Sequence, residues 1–313
     1  MPTLTGDVVG QKRWYWPAFA APGLIWLILL FVTPFYAIIA TAFGGLDPIF
    51  AGPVPAWNPM DWDLTKFGEV MQEVFTGGGL GLQTQFIRTV VYVTVAVTMC
   101  LLIGYPVAYY IARHGGRWKV LLLTLMIAPF WMSYLMRMLA WVNLLNNEPG
   151  SPGLVNQLFM LTPFVDAPIN WFAGAAAPLT VMLGLVYGYI PFFILPLYAA
   201  LDRIDKAQLE AARDMGASPA GSFWRVTLPL SKQGILAGAV IITLPMFGDY
   251  YTPNLMSGSP NTSLLGNAID FGIHTQGQSP RGASITLFLS IFVGVLMLYY
   301  LFNVARASRE ARA

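Results

Sequence analysis

Asp202-Arg203-Ile204-Asp205-Lys206-Ala207-Gln208-Leu209-Glu210-Ala211-Ala212-Arg213-Asp214-Met215-Gly216-Ala217-Ser218-Pro219 is a polar stretch set between two long apolar runs. It spells two short helices joined by a tight turn. Asp205 is placed to cap the first, with Gln208 at the third helical position in a variant of the capping box. Gly216 ends it, because only glycine takes the left-handed conformation without a Cβ clash. Ser218 then caps a second helix whose first residue is Pro219, where a missing N–H is harmless. The first helix presents Ala207, Ala211 and Ala212 with Leu209 and Met215. Small side chains let another surface approach the backbone, and the larger ones fill its pockets. A connector that merely turns the chain round is the plainer alternative for the same composition.

The apolar runs on either side belong to a set of six, near residues 16–43, 86–112, 120–144, 176–201, 234–256 and 283–305. Each is long enough to cross roughly 30 Å of hydrocarbon. Hydrophobic residues make up 56% of the chain and charged residues 10%, against roughly 25% charged in a soluble domain. Prolines inside the runs, such as Pro34, Pro106, Pro129, Pro191 and Pro245, are tolerated in membrane helices when neighbours satisfy the freed carbonyls. With the amino terminus placed inside, 13 of the 17 Lys and Arg fall in inner segments. Only Lys66, Arg88, Arg137 and Arg281 lie outside or near the outer edge. The positive-inside rule therefore predicts both termini in the cytoplasm. Lys12 and Arg13 before the first run could mimic a cleaved signal peptide, but that run exceeds the usual apolar region of about 7–15 residues.

The predicted outer loops are mildly acidic. Gly44 to Gln85 carries Asp47, Asp61, Asp63, Glu69 and Glu73 against Lys66, with a short interfacial helix expected near Leu64 to Phe75. Asn146 to Ala175 adds Glu148 and Asp166. Such a surface is either plain solvated loop or a vestibule that attracts cations.

The polar loop carries a spaced pattern: Glu210-Ala211-Ala212, three residues, Gly216, nine residues, then Val226-Thr227-Leu228-Pro229. It resembles the EAA motif of binding-protein-dependent ABC importer permeases, departing only in Val226 for the family's Ile. Two further segments are similar to polyamine (spermidine/putrescine) permeases. These are Pro129-Phe130-Trp131-Met132-Ser133-Tyr134-Leu135-Met136-Arg137 with Ala140-Trp141, and Phe223 to Leu230 followed by Phe247-Gly248-Asp249-Tyr250-Tyr251-Thr252-Pro253. The likeness runs from about Arg88 onward. It implies an all-α integral membrane protein of six transmembrane helices with the type I ABC importer permease fold. Residues 1–15 would be a cytoplasmic segment, 16–305 the permease domain with its coupling loop at 202–232, and 306–313 a cytoplasmic tail. It also implies that Glu210, Ala211, Ala212 and Gly216 couple the pore to an ATPase subunit. The expected company is a second, homologous permease, two copies of an ATP-binding subunit, an extracytoplasmic solute-binding protein and membrane lipid. The expected location is the plasma membrane of a prokaryote.

Ionisable residues within spans are costly and are functional candidates by default. Asp249, flanked by Phe247, Tyr250 and Tyr251, suits an ammonium cation, since the charge pairs directly and rings add cation–π attraction. The alternative is a structural pair with Arg137. Tyr187, Tyr189 and Trp131 are aromatic candidates for the pore or for plain packing. No G-x-x-x-x-G-K-[ST] occurs, so no P-loop is present and ATP with Mg would be used by a partner, not bound as a cofactor here. Cys100, His114 and His274 are too scattered for a metal site. Nothing points to catalysis or to nucleic acid. Transport of a small cation, most concretely a polyamine, is the expected function; another small solute, or an ion-coupled secondary transporter, are the alternatives. The latter would show internal repeats and several midplane ionisable residues, whereas one acidic candidate and no obvious repeat are found.

Overall fold

In lipid the backbone must satisfy its own polar groups, and helices are how this chain does so. The computed structural model describes residues 15–77, 81–163 and 167–310. Lys12, Arg13, Gly78, Gly79, Asp166 and Arg312 lie outside the described residues.

The first span is α1 (Tyr15–Leu27), a π-helical turn (Ile28–Val32) and α2 (Thr33–Ala42) in one rod. A hairpin of β1 (Gly45–Leu46) and β2 (Pro53–Val54) follows, then α3 (Thr65–Thr76), the short helix expected near 64–75. The second span is α4 (Leu82–His114). The third is α5 (Lys119–Ile127) and α6 (Tyr134–Leu144), joined by a 3-10 turn over Ala128–Trp131. After α7 (Leu154–Met160) come the fourth span, α8 (Ala177–Asp202), and the polar loop helix α9 (Lys206–Asp214). The fifth begins with α10 (Pro219–Ser222), passes a π turn (Phe223–Thr227) and continues as α11 (Leu228–Phe247). Then come α12 (Tyr251–Met256), α13 (Leu265–His274) and the sixth span, α14 (Ser279–Glu310). Five spans are thus single rods and one is bent, which accounts for the six expected.

Two spans differ from their sequence-based outlines. The run 120–144 is not one helix: its halves meet at 89°. Pro129 has no N–H to give, Met132 and Ser133 are extended, and Ser133 Oγ restarts the helix by accepting from Met136 N–H at 3.3 Å. The run 234–256 starts earlier, at Pro219, and ends at Phe247, leaving Gly248–Tyr250 unwound. The second loop helix is therefore not a separate element but the entry of the fifth span.

Both π turns precede a proline by the same interval. Thr33 N–H reaches back five residues to Ile28 O before Pro34, and Leu228 N–H to Phe223 O before Pro229. A proline ring presses on the carbonyl four residues earlier, and the wider turn gives that carbonyl room.

α8 is the centre of the bundle, packed between α4 and α11, and is the most buried span. Phe193, Leu185, Leu197 and Leu201 are fully enclosed. The approach is close because glycines face it: a Cβ on Gly234 would stand 2.4 Å from that of Ala200, and one on Gly238 2.8 Å from Phe193 O. Small residues at such crossings are how membrane helices maximise van der Waals contact. The first span, by contrast, has only 6% of its apolar window buried and joins the bundle through α2 against α14, where Ser284 Oγ donates to Ala42 O.

The acids of the loop between the first and second spans are mostly engaged by backbone N–H groups or basic side chains. Asp47 Oδ1 accepts from Ile49 and Phe50 N–H, each at 2.8 Å, and Asp63 Oδ1 from Thr65 N–H at 2.9 Å. Glu73 pairs with Arg281 at 2.6 Å, and Glu69 with Lys66 at 3.6 Å. The backbone N–H groups hold the Asp47 and Asp63 carboxyls below the usual value of 3.8. A depressed folded pKa means the loop is favoured above the unfolded pKa and loses that contribution as pH falls through the folded one. Carboxyl titration of labelled protein by NMR should accordingly give midpoints below 3.8 for both, and Asp47→Ala should loosen the hairpin alone.

A capped loop helix and a buried carboxylate

α9 is built as its sequence dictates. Asp205 Oδ1 accepts from Ala207 N–H at 3.0 Å; the Asp205 cap is formed, though without a reciprocal bond from Gln208. Gly216 takes φ +84°. Its N–H donates to Arg213 O at 2.8 Å, and Ala217 N–H to Ala212 O at 3.0 Å. These paired bonds are the Schellman closure. Ser218 Oγ accepts from Gly221 N–H at 3.1 Å and Pro219 opens α10.

The helix is anchored from behind. Ile204 is buried and its carbonyl accepts from Arg113 Nη1 at 3.0 Å, while Asp202 pairs with Lys119. Tyr105 and Tyr109 of α4 meet the Phe223 ring edge-on, both at 5.6 Å. Tyr105 OH is 3.0 Å from Ser231 Oγ. Of the four loop residues singled out, Glu210, Ala211 and Gly216 are exposed, but Ala212 is buried. Ala212 therefore faces its own protein. The exposed residues of α9 include Ala207, Glu210 and Ala211 along with Lys206, Gln208, Arg213 and Asp214, and Met215 follows at 84% exposure.

Asp249 is in the unwound segment, not in a helix. The chain leaves α11 with Gly248 N–H on Pro245 O and Asp249 N–H on Met246 O. The carboxylate, only 6% exposed, then holds the start of α12: Oδ1 accepts from Thr252 N–H at 3.0 Å. Oδ2 accepts from three hydroxyls, Thr252 Oγ1 at 2.5 Å, Tyr134 OH at 3.2 Å and Tyr189 OH at 3.2 Å. Spans three, four and five meet on one carboxylate. Its sequence neighbours do other work. Phe247 packs on Phe292 with centroids 5.5 Å apart, and Tyr250 stacks on Tyr251 at 4.1 Å.

Arg137 does not pair with Asp249. It is buried, with its guanidinium 4.0 Å over Phe130, 5.5 Å from Tyr134 and 5.9 Å from Tyr187. Tyr187 also packs edge-on against Trp141, and Trp131 is 79% exposed. Of Tyr187, Tyr189 and Trp131, only Tyr189 reaches the acid; Tyr134 and Thr252 reach it too, and the one local signal for them is the i,i+4 spacing of Gly184 and Gly188, whose missing Cβ atoms make room for both side chains. A cavity of about 720 Å³ adjoins the same segment through Asn254 and Asn267, and is also lined by Gln85, Asp270 and Thr275.

Residues 101–309 match the family model described as binding-protein-dependent transport system inner membrane component. The chain is 31% identical over 275 residues to the spermidine/putrescine transport system permease protein PotB of Escherichia coli (strain K12), covering 88% of this chain and 92% of that one. The PotB of Haemophilus influenzae is 31% identical over 277 residues, covering 88% and 89%. Among solved structures, a bacterial alginate ABC transporter in complex with an alginate pentasaccharide-bound periplasmic protein superposes with TM-score 0.70 over 92% of both chains, at 17% identity.

Replacing Gly216 by Ala should cost about 1 kcal/mol, because an L residue is strained in the left-handed region. Amide exchange at positions 216 and 217 would then quicken by about fivefold, with the spans unaffected. With the motif on a capped loop helix, the six-span bundle and these relatives together, the chain belongs to the binding-protein-dependent family of ABC importer permeases, multi-pass proteins of the plasma membrane.

Proposed function

We propose that this chain is the pore-forming subunit that carries a polyamine, such as spermidine or putrescine, inward by ATP-driven alternating access. The observation that carries the reading is the buried Asp249 carboxylate, ringed by hydroxyls at a break in the fifth span. A negative site of this kind suits a small organic cation and repels an anionic chain. The permeases named for spermidine and putrescine supply the second support. The alginate transporter shares the fold at 17% identity, and alginate is an acidic polysaccharide.

In this reading both termini and the 202–232 loop face the cytoplasm. The exposed Ala207–Glu210–Ala211 face of α9 enters a cleft on an ATP-binding subunit, two copies of which use ATP with Mg. Gly216 shapes the turn that presents the face. A second homologous permease completes the pore, and an extracytoplasmic binding protein delivers cargo to the outer loops. Asp249 takes the ammonium in the pathway; Tyr250, stacked on Tyr251, lines its approach, and Phe247, packed on Phe292, backs it. ATP-driven closure reaches the carboxylate through the fifth span, which begins at Pro219 and ends two residues before Asp249.

Two experiments test this. Asp249→Asn should reduce spermidine and putrescine uptake by about tenfold or more, given the worth of a buried charge-assisted contact; unchanged uptake would remove Asp249 from the pathway. Affinity capture of the chain should recover a P-loop ATPase, and Gly216→Trp should abolish that recovery while the permease stays in the membrane. Polyamine uptake by this chain alone would overturn the importer reading.

A further inference from the structure

The Asp249 carboxylate is closed: four donors occupy it, and an ammonium reaches it only if one of them moves. The donors are not held alike. Thr252 is bound twice, through N–H and hydroxyl, to an acid only three residues before it in the chain. Tyr189 lies midway along α8, the most buried span. Tyr134 is the first residue of α6, directly after the extended Met132–Ser133 corner where the third span turns by 89°.

The Tyr134 ring rests in a notch on α8. A Cβ at Gly188 would stand 2.6 Å from Tyr134 Cε2 and 3.0 Å from its hydroxyl oxygen. One turn earlier, a Cβ at Gly184 would stand 2.7 Å from Thr252 Cγ2. Two glycines four residues apart normally let helix backbones approach. Here they seat side chains from the third and fifth spans. The ring is also in cation–π range of Arg137, whose Nε and Nη1 are buried without a hydrogen-bond partner. Tyr134 thus touches both buried charges, which do not pair with each other.

We propose that Tyr134, seated on Gly188, is the displaceable gate of the Asp249 site, and that a primary ammonium reaches Oδ2 by replacing its hydroxyl. This rests on Asp249 being the cation site. The ammonium donates one N–H to Oδ2, and the Tyr189 oxygen, its O–H still directed at Oδ2, accepts another. With Tyr134 gone from the carboxylate and from the Thr252 hydroxyl that it also touches, the hydrogen-bonded tie between the third and fifth spans is lost, so occupancy alters how α6 is held. Gly188 acts as a positioning residue through Tyr134.

The test uses the complete transporter in proteoliposomes, with its ATPase and polyamine-loaded binding protein. Tyr134→Phe keeps the ring and its Arg137 contact but removes the hydroxyl. It should raise substrate-free ATP hydrolysis about tenfold or more, the worth of one hydrogen bond to a charged group, and lower the substrate-stimulated ratio. Gly188→Ala should do the same, and Gly188→Ala with Tyr134→Ala should match Tyr134→Ala alone, as coupled sites do. If Gly188→Ala does not assemble, Tyr134→Phe decides. Loss of uptake in Asp249→Asn with wild-type hydrolysis in Tyr134→Phe would overturn the gate and leave the cation site standing. Unchanged uptake in Asp249→Asn would remove both.

Discussion

Inside a bilayer no water waits to take up a freed N–H or C=O, so each departure from the helix must be met by another protein group. The two corners of this bundle are places where side chains take over that task. Ser133 Oγ receives Met136 N–H where the third span turns, and Asp249 Oδ1 receives Thr252 N–H where the fifth is interrupted. A hydroxyl meets the need at negligible electrostatic cost. A carboxylate does not, because a buried negative charge needs several donors to be tolerated. Tyr134, Tyr189 and the Thr252 hydroxyl are those donors, and they come from three spans. One local backbone break therefore organises the contact of the third, fourth and fifth helices.

Close packing follows from the same constraint. Without a hydrophobic drive between helices in lipid, contact itself must hold them. α8 meets α11 where Gly234 and Gly238 leave no Cβ, and it receives Tyr134 and Thr252 where Gly188 and Gly184 leave none. The 29 residues from Pro219 to Phe247 form one rod of roughly 43 Å at 1.5 Å per residue. It has the loop helix at one end and the buried carboxylate at the other. The π turn before Pro229 is what keeps that rod continuous despite a residue that cannot donate.

The local chemistry of α9 was legible residue by residue. Asp205, Gly216, Ser218 and Pro219 occupy the cap, turn and first-turn positions that their side chains demand, because these preferences act over three or four residues. What could not be read was which way Ala212 faces, since that depends on where α4 and the fifth span lie behind the loop. The break at Met132–Ser133 was hidden for a related reason. Pro129 is compatible with a kinked but continuous helix, and only the packing of Tyr134 onto Gly188 shows why the chain turns there. Asp249 was recognisable as an ionisable residue in an apolar run. Its partners lie 60 and 115 residues away for Tyr189 and Tyr134, beyond any local pattern.

The sequence by itself determined the membrane class, the six apolar segments and the capped loop helix with its spaced motif, because hydrophobic length and capping are local properties. Tertiary structure alone decided that Arg137 is caged by aromatic rings, that Phe247 packs into the core and that Asp249 is clasped by three hydroxyls. Those outcomes depend on which helix faces meet, and in an apolar bundle the choice lies with a few glycines whose missing Cβ atoms let distant side chains arrive.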